Sequence, residues 1–234
     1  MPGLDLAQME ASTPSGSGSP ELLFLRISPD KFRFQILFDP PNSFTAEEWL
    51  KQSQALAVVN IGQYDKRNNY LGLLIKNGQL LSPLSNSKSG LFLAENPQPG
   101  EPQARVLDLN YSAFDYTRNQ YLQGAQSLML LDRYGHIRVR RTAKTAHRSL
   151  LAEDRQGNIV LIISRGRHTL WELADWLKRI DWLREIMCMD GGAEAQLAIK
   201  ANGFSINMTG LPQALPDIPW PSANLPMALA IFPR

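Results

Sequence analysis

The sequence predicts an α+β protein, a mixed, mainly antiparallel sheet with one βαβ unit and flanking helices. Three observations predict it. Turn pairs at Asn77-Gly78, Tyr134-Gly135, Gln156-Gly157 and Asn202-Gly203 each fall between apolar runs and read as hairpins. Two capping boxes, Thr45-Ala46-Glu47-Glu48 and Thr169-Leu170-Trp171-Glu172, each open a helix. An apolar run over 159–163, the second box and another apolar run over 186–189 follow one another as strand, helix, strand.

The elements follow in order. Residues 1–20 are expected to form a flexible tail, since 11–20 are rich in Ser, Gly and Pro. Residues 21–234 then form one domain. Phe32, Phe34 and Ile36 alternate with Lys31, Arg33 and Gln35, the mark of a half-buried strand. Residues 22–27 are expected to pair with it as a hairpin about Ser28-Pro29-Asp30. The first helix runs from Thr45 to about Gln54. Residues 55–59 enter a strand ending at Asn60-Ile61-Gly62.

Residues 94–104 and the proline-crowded 210–226 read as loops. Trp220 in the second either covers a cleft or pins the loop to the core. Arg138, Arg140, Arg141 and Lys144 form a basic cluster, either a solvated strand face or a phosphate-binding flank leading to Arg148. Leu170, Leu173, Leu177 and Ile180 make the apolar stripe of the second helix. The strands on either side of that helix are expected to be parallel, joined by a right-handed crossover.

Composition narrows the function. With 234 residues and 44% hydrophobic content, the chain can bury a sizeable core. A net charge of +2 gives no case for nucleic acid, and no apolar stretch is long enough for a membrane span. The single Cys188 excludes an internal disulfide and a cysteine metal cluster, and reads as a small buried hydrophobe. His136, His147 and His168 lack metal-ligand spacing and read as surface or hydrogen-bonded residues. Neither a metal nor a cofactor is implied.

The most informative stretch is Met187-Cys188-Met189-Asp190-Gly191-Gly192, where an apolar run ends in an acid and two glycines. Acids at strand ends beside glycine are recurrent catalytic or ligand-binding groups. The same residues also fit a tight turn whose Asp caps its own backbone. Parallel strands would bring Ser164-Arg165-Gly166-Arg167-His168 to the same sheet edge as Asp190. Arg165 and Arg167 would then favour a phosphate-bearing ligand; solvated surface arginines are the alternative.

Asp190-Gly191-Gly192, reached through a strand after Thr169-Leu170-Trp171-Glu172-Leu173-Ala174, resembles the N-L-D-G-G-G-S signature of the phosphodiester glycosidase family. Further stretches agree in order. Residues 57–65 and 71–78 are similar to the family's asparagine block and the hairpin that follows it. Gln126-Ser127-Leu128-Met129-Leu130 resembles Q-S-G-P-x-L. His147-Arg148-Ser149 stands in the place of P-R-T, and 225–232 is similar to the closing V-P-N-A-L-x-V-F strand. The resemblance covers about residues 50–234. Ala193, Glu194, Gln63, Cys188 and Ser149 depart from the pattern, at places where Gly, Ser, an aromatic, Asn and Thr are usual.

The resemblance implies hydrolysis of a phosphodiester bonded to a sugar anomeric carbon, in a periplasmic or extracellular protein, with a carbohydrate or sugar phosphate as partner. Asp190 would be nucleophile or general acid/base; Glu194, a departure from the family's Ser, is either a second carboxylate beside it or a charge that weakens anion binding. Arg148 would hold phosphate by a bidentate contact, and Asn60 would hydrogen-bond sugar or phosphate. Gly191 and Gly192 would admit the ligand close to the backbone, flanked by Arg165 and Arg167. A non-catalytic anionic-glycan-binding protein and a cell-envelope interaction protein are the competing readings.

Overall fold

Apolar runs that continue without alternation mark strands covered on both faces, and the chain has several of them. The computed structural model describes residues 1–201, 203–210 and 223–234. Asn202 of one expected turn and Trp220 of the proline-rich loop lie outside those residues. In chain order the elements are β1 (Leu4–Glu10), β2 (Glu21–Ile27), β3 (Phe32–Phe38), α1 (Ala46–Ser53), β4 (Ala57–Asn60), β5 (Leu74–Lys76), β6 (Gln79–Ser82), β7 (Gly90–Ala94) and β8 (Ala104–Asp108). They continue with β9 (Gln123–Leu131), β10 (Ser149–Asp154), β11 (Ile159–Ser164), α2 (Leu170–Leu177), β12 (Leu183–Cys188), β13 (Gln196–Ala201), β14 (Phe204–Thr209) and β15 (Met227–Pro233).

The strands form two sheets. One runs β1-β2-β11-β10-β12-β9-β5-β6, with β7 also on β9 and β8 on β7; the other runs β14-β13-β4-β15-β3. The main core lies between them. Leu23 and Leu25 of β2, Leu161 and Ile163 of β11 and Met187 of β12 meet Phe34 and Ile36 of β3, Val59 of β4 and Leu229 of β15. The opposite face of the large sheet, with Phe24, Val160 and Ile162, packs on Leu173, Ala174 and Leu177 of α2. Trp49 and Leu50 of α1 cover the outer face of the smaller sheet through Val58, Ala198 and Ala230. The layers are therefore helix, sheet, sheet, helix.

The first capping box forms in full, with Glu48 also accepting the Thr45 N–H; at the second, Glu172 accepts the Thr169 hydroxyl in place of its backbone N–H. Thr45 caps α1 and Thr169 caps α2, each accepting the N–H three residues on from Glu48 and Glu172. Asn77 and Gly78 both have positive φ and turn β5 into β6, as an Asn-Gly pair is suited to do.

Three expectations are corrected. First, two helices accompany a predominantly antiparallel sheet system, and every strand pairing among the described residues is antiparallel. β11 and β12 do run in the same direction, but β10 lies between them and pairs with both. The run 159–163 is apolar throughout because α2 covers one face of β11 and the second sheet the other. Burial on both faces, not parallel pairing, writes that pattern.

Second, β2 and β3 are not a hairpin. β2 pairs with β1 and β11, β3 pairs with β15, and Ser28-Pro29-Asp30 carries the chain from one sheet to the other. Third, the expected tail lies on the domain. β1 pairs with β2 along its full length, Ala11 is buried, and Ser17 exchanges backbone bonds with Arg167 at 3.0 and 2.8 Å. An edge strand needs only backbone partners, so few apolar side chains suffice, and six of the seven residues of β1 are exposed.

Deleting residues 1–19 should therefore lower stability by about 2 kcal/mol, a fall in the unfolding midpoint of about 4–8 °C for a domain of this size. Thermal denaturation followed by circular dichroism checks this, and an unchanged midpoint would contradict the docking of β1.

Candidate active site

β4 and β12 belong to different sheets, yet their carboxyl ends meet. The N–H of Asp190 donates to the carbonyl of Gly62 at 2.9 Å. Asn60, 1% exposed, donates from Nδ2 to the carbonyl of Asp190 at 2.9 Å and accepts the N–H of Gln196 at Oδ1 at 3.3 Å. Gly62 has φ +63°, and a Cβ there would sit 2.0 Å from the Tyr70 hydroxyl, so no other residue fits. The end of β12 is held from the other side: Ser127 Oγ donates to the carbonyl of Cys188 at 2.5 Å, and the N–H of Met189 donates to Ser149 at 2.9 Å.

The segment after Asp190 lies against residue 147. The N–H of Gly192 donates to the His147 carbonyl at 2.9 Å, and a Cβ on Gly191 would come within 2.7 Å of that same oxygen. Asp190 Oδ1 accepts the N–H of Gly191 at 3.0 Å, so the self-capping turn is real. It occupies one carboxylate oxygen; among the described residues Oδ2 has no protein partner.

Burial raises the pKa of Asp190, and the negative charge of Glu194 raises it further; the Gly191 N–H, Lys88 and Lys144 pull the other way. Asp190 is thus a carboxyl that holds its proton more tightly than a solvated one. Tyr64 feels both acids: burial, then Glu194, then Asp190 push its hydroxyl up, and that hydroxyl is buried without a partner among the described residues. Lys88 is half-buried and its pKa is lowered to about 8 by desolvation, against the charge of Asp190. Its Nζ donates to the Leu71 carbonyl. Cys188 is buried and pushed up to about 12, an inert thiol in its strand.

Arg148 is 7% exposed, and burial lowers its pKa. Nε donates to the His168 carbonyl at 2.8 Å and Nη2 to the Lys144 carbonyl at 2.8 Å. Nη1 remains, 3.5 Å from where a Cβ of Gly191 would stand. His147 and His168 are both lowered, burial first and nearby arginines adding to it. His168 Nδ1 meets Thr13 Oγ1 at 2.9 Å. Neither is a surface histidine in the ordinary sense: His168 is 1% exposed, and His147 is half-buried. Among the described residues no group of His, Cys, Asp and Glu is arranged to hold a metal ion.

Asn60, Arg148, Asp190, Gly191, Gly192 and Glu194 are thus gathered at one junction. Arg167 lies beside it, donating to the Thr145 carbonyl at 3.2 Å and depressing both His147 and Arg148. Arg165 turns away into an ion pair with Glu21 at 2.9 Å. Asn60 does not offer its amide to a ligand, since both of its ends hold backbone. Arg148 likewise cannot present its whole fork, because two of its three nitrogens are bonded to carbonyls. Sequence reasoning missed Lys88 and Tyr64. Gln126 gave an indirect signal for Lys88: buried, it donates to the carbonyls of Ser85 and Lys88 at 2.7 Å each and so sets the loop that brings the lysine in.

The family profile described as phosphodiester glycosidase matches residues 53–227. The chain belongs to that family. No curated protein matches it by sequence. Among solved structures, the catalytic domain of zebrafish N-acetylglucosamine-1-phosphodiester alpha-N-acetylglucosaminidase, auto-inhibited by its pro-peptide, is similar at TM-score 0.71 and 15% identity. The match covers 99% of this chain and 83% of that one. A hypothetical protein from Synechocystis is similar at TM-score 0.67 and 15% identity, over 100% of this chain and 63% of that one. A Burkholderia pseudomallei protein described as exported is similar at TM-score 0.59 and 10% identity, over 94% and 76%. At these identities the likeness is one of fold.

Asn60→Ala should leave the Asp190 carbonyl and the Gln196 N–H without partners and destabilise the protein by about 1–3 kcal/mol. Urea denaturation reads this as a lower midpoint at unchanged slope; equal midpoints would mean that the junction does not depend on Asn60.

Proposed function

We propose that the protein hydrolyses a phosphodiester joined to the anomeric carbon of a sugar. The observation that carries the reading is a proton-avid carboxyl, Asp190, beside a second acid and within the field of several cations. Water adds at C1, the C1–O bond breaks with its electron pair passing to the phosphate oxygen, and a sugar hemiacetal and a phosphate monoester leave. A phosphate monoester is a stable anion, so the leaving side needs charge neutralisation more than a strong acid. Lys88, Lys144, Arg167 and the remaining Nη1 of Arg148 supply that charge. Asp190 then works on the carbon side, and Glu194 is the second carboxylate. The neutral Tyr64 hydroxyl is a donor for a sugar oxygen.

Asp190 acts either as the attacking carboxylate or as the base that takes a proton from water. Retention of anomeric configuration assigns the first and inversion the second. Gly191 and Gly192 keep the backbone low beside the substrate. The likeness to a protein described as exported supports a periplasmic or extracellular location. The departure at Glu194 favours a second reading, because an added carboxylate repels phosphate: an anionic-glycan-binding protein without turnover. Sugar-1-phosphodiesters that bind without releasing a phosphate monoester would establish it.

Asp190→Asn should abolish turnover, since an amide neither attacks nor accepts a proton at neutral pH. Product release close to that of the unaltered protein would remove Asp190 from the chemistry. Glu194→Gln removes the negative neighbour that raises Asp190, so the limb of the pH–kcat/KM profile set by Asp190 should move to lower pH. A limb that stays in place separates the two acids. Lys88, with its pKa lowered to about 8, is cationic below that pH and loses its charge above it. Activity should therefore fall as pH rises through about 8. Lys88→Met should lower kcat by about 100-fold and remove that alkaline fall.

A further inference from the structure

The strand that delivers Asp190 carries a second charged cluster at its other end. β12 begins at Leu183, and about 20 Å of extended chain separates Arg184 from Asp190. β10 is built alike, with Arg148 just before its first residue and Arg155 just after its last. Leu183 pairs with Asp154, and Ile186 pairs with Leu131 at the end of β9. The far ends of three strands therefore lie side by side. Arg133, Tyr134, Arg155, Leu183 and Arg184 line a surface pocket of about 400 Å³ there. That volume lies within the range of about 300–1,000 Å³ in which small-molecule sites fall. Every charged residue of this lining is an arginine.

We propose that this pocket binds a phosphate monoester, at a site separate from the junction that holds Asp190. The inference does not depend on the hydrolysis proposed at that junction. Three observations carry it.

The first is that two of the arginines are fixed from behind. Glu185 is 1% exposed, and its Oε1 accepts Nε and Nη2 of Arg133 at 3.1 and 3.0 Å. Arg184 Nε stands 3.6 Å from Glu185 Oε2, and its Nη1 donates to Glu153 Oε1 at 3.4 Å. Buried acids thus hold both guanidiniums in place, as a binding site requires of its charged groups. Arg133 Nη1 and Arg184 Nη2 keep no partner among the described residues.

The second is an excess of charge. Two buried acids call for two cations, and the pocket has three. Arg155 is exposed, and its side chain has no hydrogen bond or ion pair among the described residues. Its backbone is nevertheless held, since its N–H donates to the Trp182 carbonyl at 2.9 Å.

The third is Tyr134, which is 64% exposed yet set on a rigid turn. The buried Asp132 accepts the N–H groups of Tyr134 and His136 at 2.9 Å each, and the Tyr134 ring packs edge-on against Tyr111 at 5.2 Å. Its hydroxyl is a further donor at the rim.

The geometry selects the anion. A carboxylate offers two oxygens to one planar fork. Here guanidiniums come from three separate segments, which suits a tetrahedral group. A phosphate monoester brings three acceptor oxygens and close to two negative charges at neutral pH. A diester has one ester oxygen more and one charge fewer.

The test titrates inorganic phosphate into the unaltered protein at constant ionic strength and follows backbone amide shifts by NMR, with acetate as control. The amides of Tyr134, Arg155 and Arg184 should move along saturating curves, and glucose 6-phosphate should move them likewise. Arg155→Ala should weaken phosphate at these amides by about tenfold, the loss of one charge-assisted contact. Arg155→Lys should recover only part of that, because an ammonium lacks the fork. Whatever response Gly191 and Gly192 show should be the same in all three proteins. Equal unfolding midpoints exclude a folding defect. Shifts that do not saturate, that acetate reproduces with the same curve, or that Arg155→Ala leaves unchanged overturn the assignment. None of these outcomes bears on turnover at Asp190, and failure of turnover leaves each of them standing.

Discussion

The hydrogen bonds between Asp190 and the Asn60–Gly62 turn are the constraint on which the rest depends. A two-sheet sandwich has no covalent or ladder connection between its layers, and apolar packing alone leaves their edges free to slide. Here the end of a strand in one sheet is bonded to the end of a strand in the other. Asn60 does this with one amide: Nδ2 takes the Asp190 carbonyl, and Oδ1 takes the Gln196 N–H, so the loop between β12 and β13 is gripped at both ends. The acid is fixed by its backbone; of its carboxylate oxygens Oδ1 accepts the Gly191 N–H, and Oδ2 keeps no protein partner among the described residues. Asn60 is therefore a residue that positions the site, a different task from the ligand contact expected from its place beside glycine.

Much of the fold was legible because local chemistry and tertiary structure agree. Thr45 with Glu48, and Thr169 with Glu172, stand at helix starts because a side-chain oxygen is needed there whatever the helix packs on. Asn77-Gly78 turns a hairpin because both positions require positive φ. What was illegible is the partner of each strand. The apolar run at 159–163 reports that both faces of β11 are covered. It does not report whether the neighbouring strand is parallel, and an α2 layer with a second sheet writes the same residues as a parallel barrel would. The β2–β3 turn failed for a related reason, since Pro29 and Asp30 can end a hairpin or carry the chain to another layer. The first twenty residues failed because composition speaks to side chains, whereas β1 is held through its backbone.

At the site, Asp190, Gly191 and Gly192 could be read because an acid followed by glycines is a conspicuous break in an apolar strand. Gly191 is required by the His147 carbonyl 2.7 Å from its absent Cβ, and Gly192 by its φ of +74°. Lys88 could not be read. Its loop, Ser85-Asn86-Ser87-Lys88-Ser89, looks like any solvated turn, and only the buried amide of Gln126, 38 residues away, brings it in. Arg148 was found by resemblance; a guanidinium has five N–H donors, and sequence does not say that the protein itself takes two of them, Nε–H to His168 and one Nη2–H to Lys144. Arg165 and Arg167, two residues apart, look equivalent, yet Glu21 draws one outward while the other remains beside His147.

The substitution of Ala193 and Glu194 into the glycine-rich segment then becomes a question of charge balance. Asp190 and Glu194 together carry at most two negative charges. Facing or flanking them are Lys88, Lys144, Arg148 and Arg167, of which Lys88 and Lys144 lower the pKa of Asp190 and Arg167 acts on Arg148 and His147. Four cations against two acids leave a surplus large enough for a singly charged diester. Glu194 acts on both Asp190 and Tyr64. Burial raises both groups first, and the charge of Glu194 raises the tyrosine hydroxyl and the Asp190 carboxyl further. An added carboxylate that would weaken a simple anion pocket therefore raises the proton affinity of Asp190, against the pull of Lys88 and Lys144. In the proposed hydrolysis that balance would decide whether Asp190 is ionised and able to attack or to take a proton from water.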